Sequence, residues 1–254
     1  RVVLILNPST KEHWIYRRFY EDKGVQPGSN TENGDTCYIH TTFQDNIENL
    51  PQSFLDEVAI MKERRPDKYQ HTILGGWLDK AEGVIFSNWS IGLFQNMGSV
   101  VYGQDYGFSQ DPTTLVETSI DTKNKKIYLR LHLYEKGLTT SMIADINKSR
   151  AGANLIIGDS AEPRLITELN AMGCNVMPAI KGPDSVSYGI CLMQDYDLVI
   201  DEGSIELIKE LNNYCWLSQK SKTPIDKWNH ALDAVRYAIS YQLENPNKGK
   251  YYIR

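Results

Sequence analysis

Apolar runs and amphipathic segments alternate along the chain, and the alternation changes character about a third of the way along. Before residue 80 the pattern predicts strand, helix, strand and helix, at 1–6, 9–21, 36–43 and 52–64. Continuous apolar runs are typical of buried strands, and apolar positions three and four residues apart are typical of helices packed on one side. The first third therefore predicts a β-α-β-α unit.

A different order begins near residue 98. Three successive strands are predicted, the last two joined by the turn at 122–125, and helices and strands then alternate to the last helix, 225–243. This order predicts an α/β domain with a mixed sheet flanked by helices, an antiparallel meander on one side and parallel strands on the other. The predicted boundaries are an α/β unit, a linker, a second domain and a mobile tail, at 1–80, 81–97, 98–243 and 244–254.

Composition narrows the class of protein only slightly. The chain is 41% hydrophobic and 23% charged, with a net charge of -5, as in many globular proteins. The acidic balance does not favour bulk nucleic-acid binding, although a local basic face can coexist with an acidic site. No run of about 18 apolar residues is present, so no membrane partner is expected. Four widely spaced cysteines predict free thiols. A start without Met, directly in an apolar run, suggests a fragment of a longer protein.

Two carboxylates stand at predicted strand ends. Asp105 ends the first strand of the second domain, and Asp159 ends the fourth. If these strands are neighbours, the carboxylates lie side by side, and their repulsion raises a pKa unless a cation intervenes. Carboxylate oxygens without nearby His or Cys suit Mg²⁺ or Mn²⁺ better than zinc.

The last predicted helix offers a third carboxylate. Asp233 shares one helix face with His230 and Tyr237, next to a stripe of small alanines. Those alanines would let the helix lie close to the sheet, where Asp233 could reach the strand ends.

Each of these residues also has an ordinary structural interpretation. Asp105 could be a turn residue, Asp159 a helix N-cap, and Asp233 and His230 solvated side chains. Asp111 and Glu162 are candidate auxiliary acids. Asp201 and Glu202 also stand at the end of a predicted strand, so they compete with Asp105 and Asp159 as candidate ligands.

Several segments in this order make the second domain resemble the C-terminal nuclease domain of the large terminase subunit of tailed bacteriophages. The resemblance covers most of residues 98–243 and is carried by YGQDYGFSQDPTTLV, IIGDSAEPRLITEL, PAIKGPDSVSYGI, LVIDEGSIELIKEL and NHALDAVRYA. The first third resembles the end of the terminase ATPase domain, in LILNPSTKEHWIYRRF and IHTTFQDNIENLP, with Asn7 near the motif that couples ATP hydrolysis to movement. No G-x-x-x-x-G-K-[ST] motif is present, so no ATPase activity is expected from this chain alone.

The resemblance implies a ribonuclease-H-like fold and a metal-dependent endonuclease that cuts double-stranded viral DNA during genome packaging. It implies that Asp105, Asp159 and Asp233 bind two divalent ions, with Asp105 bridging them. The implied partners are DNA, the portal protein and the small terminase subunit, in the host cell cytoplasm. Lys181 and Arg236 would contact phosphate, or be solvated charges. The alternatives are a non-catalytic DNA-gripping or portal-docking module and a resolvase-type nuclease.

Overall fold

The computed structural model describes residues 2–81, 83–218 and 223–244, and the chain divides into two compact units, Arg1–Ala81 and Glu82–Arg254. No helix within those described ranges combines the length and the apolarity needed to cross a bilayer. The predicted tail after residue 244 lies outside the described residues.

The first unit is built mainly from short elements. Its α-helices are α1 (Trp14–Tyr16), α2 (Gln52–Arg64) and α3 (Pro66–Lys68), with a 3-10 segment at Phe43–Asn49 and π-helical turns at Arg17–Glu21 and Tyr69–Ile73. Strands β1 (Thr31–Asn33) and β2 (Thr36–Tyr38) form an antiparallel hairpin. Gly34, in the turn, has a φ of 61°, which glycine adopts without strain. The helix predicted at 52–64 is confirmed.

Two strand predictions in this unit need correction. Residues 2–6, expected as a buried strand, carry no regular structure, and Val2 and Ile5 are 85% and 94% exposed. In the described part of the chain no strand pairs with this run, and an unpaired strand leaves its backbone hydrogen bonds to water. The predicted strand at 36–43 is limited to β2, and its hairpin partner lies in a predicted loop.

The second unit contains, in the described part, one seven-stranded mixed sheet with helices on both faces. Its strands are β3 (Trp89–Ile91), β4 (Val100–Asp105), β5 (Thr113–Asp121), β6 (Lys126–Glu135), β7 (Ile156–Gly158), β8 (Val176–Pro178) and β9 (Asp197–Ile200). Its helices are α4 (Thr140–Arg150), α5 (Pro163–Ala171), α6 (Ser185–Gln194), α7 (Ile205–Asn213) and α8 (His230–Glu244). The fold class predicted for this domain is therefore confirmed.

The strand order is β3-β9-β6-β5-β4-β7-β8. The meander β4-β5-β6 is antiparallel as predicted, but it lies at the centre, with parallel strands added on both sides rather than on one. Strand β3 lies within residues 81–97, which the sequence pattern indicates as a linker, and it pairs in parallel with β9. Three residues are too short a run for periodicity to reveal.

Consecutive strand residues face opposite layers of helices. Leu115 packs with α4 and α5 in one apolar cluster, whereas Val116 packs with α6, α7 and α8 in another. The alternation buries both faces of the sheet, so β5 is almost wholly buried although only Leu115, Val116 and Ile120 of its residues are apolar.

Helix α8 lies directly on β4. A Cβ added to Gly103 of β4 would lie only 1.7 Å from the carbonyl oxygen of Ala234 of α8, so glycine permits this approach. The helix was predicted from residue 225, but it begins at His230. Trp228 has a φ of 62°, a left-handed conformation that interrupts a right-handed helix.

Candidate active site

Asp105 and Asp159 meet at one edge of the sheet. Strands β4 and β7 are parallel neighbours, with Gln104 opposite Gly158. The backbone amide of Asp159 donates to the carbonyl of Gln104 at 3.0 Å, which places Asp159 beside Asp105. The first and fourth predicted strands of the domain are therefore neighbours, as the side-by-side placement of the two carboxylates requires.

Asp233 approaches the same edge from α8. Its charge acts on Asp105, as does the charge of Asp159. Side-chain exposure is 13% for Asp105, 15% for Asp159 and 21% for Asp233, so all three carboxylates are largely shielded from water. Two strands and a helix far apart in sequence thus bring three acids into one electrostatic neighbourhood.

The environment of Asp105 disfavours the charged form of its carboxyl. Burial raises the pKa of its carboxyl, the hydrogen bond with His230 opposes the rise, and the charges of Asp233 and Asp159 add to it. A nearby cation would remove this penalty, because it favours the charged form.

Each carboxylate faces a basic side chain of the protein itself. Asp105 Oδ2 lies 3.3 Å from His230 Nδ1, and Asp159 forms an ion pair with Lys181. Asp233 Oδ1 accepts from both Nε and an Nη of Arg236, at 3.1 and 2.9 Å. The cations that the sequence offers as phosphate contacts, Lys181 and Arg236, thus lie on the candidate metal ligands.

Tyr237 joins the group from the next turn of α8. Its hydroxyl lies 3.4 Å from Asp159 Oδ2, and burial first, then the charges of Asp233 and Asp105, raise its pKa. The sequence places Tyr237 on the same helix face as Asp233, but its contact with Asp159 depends on how α8 lies on the sheet.

The donor set suits a hard divalent cation, but it is not a preformed cage. In the described ranges no three His, Cys, Asp or Glu side chains form a group that could hold a metal ion. The three acids supply only oxygen ligands, which Mg²⁺ and Mn²⁺ prefer. Their repulsion at Asp105 is the feature that a bound cation would relieve, so the residues present fit such an ion.

Some of the candidate acids also have ordinary structural roles as turn or helix-end residues. Asp159 Oδ1 accepts from the backbone amide of Ala161 at 2.8 Å, the bond of a turn before helix α5. Glu162 is the exposed residue that precedes α5. Asp111 is mostly exposed, with Oδ1 3.5 Å from His230 Nε2, so it lies at the margin of the group.

The competing strand-end acids lie elsewhere on the sheet. Asp201 follows β9, which β6 and β5 separate from β4, and it forms an ion pair with Arg130 at 3.3 Å. Glu202 is exposed in the following turn. Asn7 lies in the first unit, exposed and outside regular structure.

One buried acid near the three carboxylates is not among the candidate residues that the sequence suggests. Glu210 of α7 is fully buried and accepts from the backbone amide of Leu232 at 2.9 Å and from the Tyr134 hydroxyl at 3.0 Å. In the sequence it sits between Leu207 and Leu211 in an amphipathic helix. Its place on the buried side of that stripe is the only available signal.

A seven-stranded mixed sheet with acids at the carboxyl ends of adjacent strands, closed by a C-terminal helix, defines a ribonuclease-H-like domain. Residues 105–241, more than half of the chain, match the family described as terminase RNAseH like domain, and residues 1–76 match that described as phage terminase large subunit. The chain therefore belongs to the terminase ribonuclease-H-like family, as part of a phage large terminase subunit. Comparison with curated proteins finds no match.

Solved structures agree with this assignment. The nuclease domain of the large terminase of bacteriophage SPP1, with bound Mn, is 28% identical, with a TM-score of 0.56 over 63% of this chain and 99% of that one. The large terminase of a thermophilic bacteriophage is 20% identical, with a TM-score of 0.52 over 93% of this chain and 62% of that one. The P22 large terminase nuclease domain is 17% identical, with a TM-score of 0.52 over 64% of this chain and 93% of that one. The last two establish the shared fold, and this chain spans less than two thirds of the thermophilic phage protein.

Proposed function

We propose that this chain is a metal-dependent endonuclease that cuts double-stranded viral DNA during genome packaging. The observation that carries the proposal is the meeting of Asp105, Asp159 and Asp233 at one edge of the sheet, where burial and mutual repulsion raise the pKa of Asp105. The SPP1 nuclease domain with bound Mn supports the choice of a divalent ion.

The three carboxylates would hold the ions, for which we propose two Mg²⁺ or Mn²⁺. When bound, such ions neutralise the charge of a phosphodiester and lower the pKa of a water molecule. The carboxylates would hold these ions beside the strand ends, in a site mostly shielded from solvent.

The cations of the chain have a defined role in this proposal. Lys181 and Arg236 pair with Asp159 and Asp233, and a bound divalent ion would compete with them for the same oxygens. Lys181, whose side chain is 35% exposed, would then be free to contact a phosphate of the DNA backbone, whereas Arg236 is buried and would have to move to the surface to do so. Such contacts position DNA without reading its sequence, so cleavage would show weak sequence preference and strong salt dependence.

His230 stands between two acids and is a candidate to hold or move a proton. Its Nδ1 lies 3.3 Å from Asp105 and its Nε2 3.5 Å from Asp111, and the hydrogen bond to Asp105 is the main cause of its raised pKa. A protonated imidazole at this place would favour the charged form of Asp105 before metal binds.

The wider assembly is part of the same proposal. We propose double-stranded DNA, the portal protein and the small terminase subunit as partners, in the cytoplasm of the host cell. We propose Asn7 as a remnant of the motif that couples ATP hydrolysis to movement. We propose that ATP hydrolysis requires chain beyond this sequence, because the sequence has no phosphate-binding loop.

One observation favours a second function. Each carboxylate already pairs with a basic side chain, so the group could be a set of polar pairs in a DNA-gripping or docking module that does not cut DNA. Cleavage assays separate the two functions.

The proposal is tested by plasmid cleavage with Mn²⁺, Mg²⁺ or EDTA, comparing wild type, Asp233→Asn and Asp201→Asn. We expect cleavage only with metal, and a loss of at least about 100-fold in Asp233→Asn, the upper range for disturbing even an outer partner of a metal ligand. Asp201→Asn is the matched control, a strand-end acid paired with Arg130, and should cut like wild type. Cleavage by Asp233→Asn at the wild-type rate, or loss only in Asp201→Asn, would overturn the site assignment. No cleavage with either metal would favour the non-catalytic module.

A further inference from the structure

Glu210 presents an unusual arrangement, a fully buried carboxyl between two helices and the sheet. It lies on α7, and its two oxygens accept from different elements: Oε2 from the backbone amide of Leu232 on α8, and Oε1 from the hydroxyl of Tyr134 on β6. The backbone amide of Ala231 also stabilises its charge. Burying a carboxyl is costly unless such partners are present, so the arrangement needs an explanation.

The first turn of α8 provides one. A helix leaves its first backbone amides without partners inside the helix, and its N-terminus carries partial positive charge. In α8 the amide of Asp233 reaches the carbonyl of Asn229 at 2.6 Å, so the amides before it need acceptors from elsewhere. Glu210 supplies them from a neighbouring helix, as a local Asp or Ser does at an ordinary N-cap.

A second bond fixes the same turn from the sheet. Thr114 Oγ1 of β5 donates to the carbonyl of His230 at 3.3 Å. The first turn is thus tied to α7 by Glu210 and to the sheet by Thr114. His230 and Asp233, the residues that face Asp105, both belong to this turn.

We propose that Glu210 is a positioning residue, which holds the first turn of α8 so that Asp233 and His230 face Asp105. The inference rests on the proposed function, because positioning matters only if these residues form the active site. Glu210 acts through the backbone of Ala231 and Leu232 and touches none of the three candidate metal ligands.

Two variants of the full chain separate positioning from general stability. Glu210→Ala removes the acceptor, and Leu211→Ala, the next residue on α7 and equally buried, removes packing without a polar bond to α8. Glu210→Gln keeps an oxygen for Leu232 and is the rescue variant. All three are compared with wild type by amide hydrogen exchange without metal and by Mn²⁺ titration followed by electron paramagnetic resonance.

We expect faster exchange confined to residues 230–234 in Glu210→Ala, whereas Leu211→Ala accelerates exchange throughout α8. We also expect Mn²⁺ affinity to fall about 10- to 100-fold in Glu210→Ala, as for other supporting residues of metal sites, and to recover largely in Glu210→Gln. Leu211→Ala should lower the melting temperature and leave Mn²⁺ affinity near the wild-type value.

The outcomes distinguish this inference from the proposed function. Exchange at 230–234 unchanged in Glu210→Ala, or Mn²⁺ affinity reduced equally in Leu211→Ala, would overturn the positioning role while leaving the nuclease proposal in place. Local exchange that responds as expected in a protein that binds no Mn²⁺ would support the hold on α8 and contradict the metal site.

Discussion

At the scale of single residues, the chemistry depends on acids whose environments differ. Asp105 is shielded and repelled by two neighbours, Asp201 forms an ion pair with Arg130 of the neighbouring strand β6, and Glu210 is buried against helix amides. In the sequence all three are acids beside apolar residues. Tertiary contacts alone separate a candidate ligand from an ion pair between neighbouring strands and from a buried cap, because each contact joins residues far apart in the chain.

The buried carboxyl of Glu210 predicts a pH dependence of stability. Burial raises its pKa from 4.5 to about 7, against the opposing effects of Leu232, Ala231 and Tyr134. The folded state therefore keeps a proton that the unfolded state releases, and the free energy of unfolding falls as pH rises from about 4.5 to about 7, by on the order of 3 kcal/mol. Glu210→Gln, which mimics the neutral form, should lose this part of the slope.

Denaturant titrations of wild type and Glu210→Gln at pH 4.5 and pH 7 measure that difference. The groups facing Glu210 are Tyr134 of β6, Tyr214 after α7 and His230 of α8, and of these His230 alone has an ordinary pKa, 6.5, within this range. Because the charge of Glu210 also acts on His230, the difference between the two proteins measures Glu210 together with its coupling to His230. Parallel pH profiles in the two proteins would show that Glu210 does not hold the extra proton.

At the scale of elements, the site depends on how closely α8 lies on β4. Gly103 permits contact between the strand and the backbone of Ala234, one residue after Asp233. The alanines of the helix predict a close approach, and the structure confirms it. The sequence does not specify that a glycine of the facing strand is required at this contact.

Gly103→Ala should therefore be destabilising. The new methyl group would meet a backbone oxygen rather than a flexible side chain, and overpacking of this kind costs about 1–3 kcal/mol, occasionally more. Gly182→Ala is the control, because an added Cβ there meets nothing within 4 Å. Denaturant titration measures both variants, and equal stabilities would contradict the close packing of α8 on β4.

The sequence predicts the long elements of the second unit well and the short ones poorly. Strand β6 and helix α8 carry enough periodic positions to be recognised, whereas β3 has three residues and pairs with β9, more than a hundred residues later. Residues 2–6 have the composition of a buried strand but lack a pairing strand among the described residues. Strand formation depends on a partner as well as on composition.

At the scale of the whole molecule, the candidate site belongs to the second unit, where sheet order decides its composition. The order β6-β5-β4-β7 makes Asp105 and Asp159 neighbours and leaves Asp201 beyond β6. The sequence pattern identifies all three as strand-end acids, favours Asp105 and Asp159 and keeps Asp201 as a competitor. It offers Lys181 and Arg236 as phosphate contacts or solvated charges, and the structure places them on Asp159 and Asp233. Side-chain pairing across elements is beyond what spacing can predict.

The central claim is that Asp105, Asp159 and Asp233 together bind a divalent ion. Crystals soaked in Mn²⁺, with anomalous scattering recorded near the manganese absorption edge, test it most directly. We expect one or two anomalous peaks in contact with Asp105, shared with Asp159 and Asp233, and Lys181 turned away from Asp159. A peak at Asp201 and Glu202, or no peak at Asp105 in crystals that bind Mn²⁺ elsewhere, would contradict it.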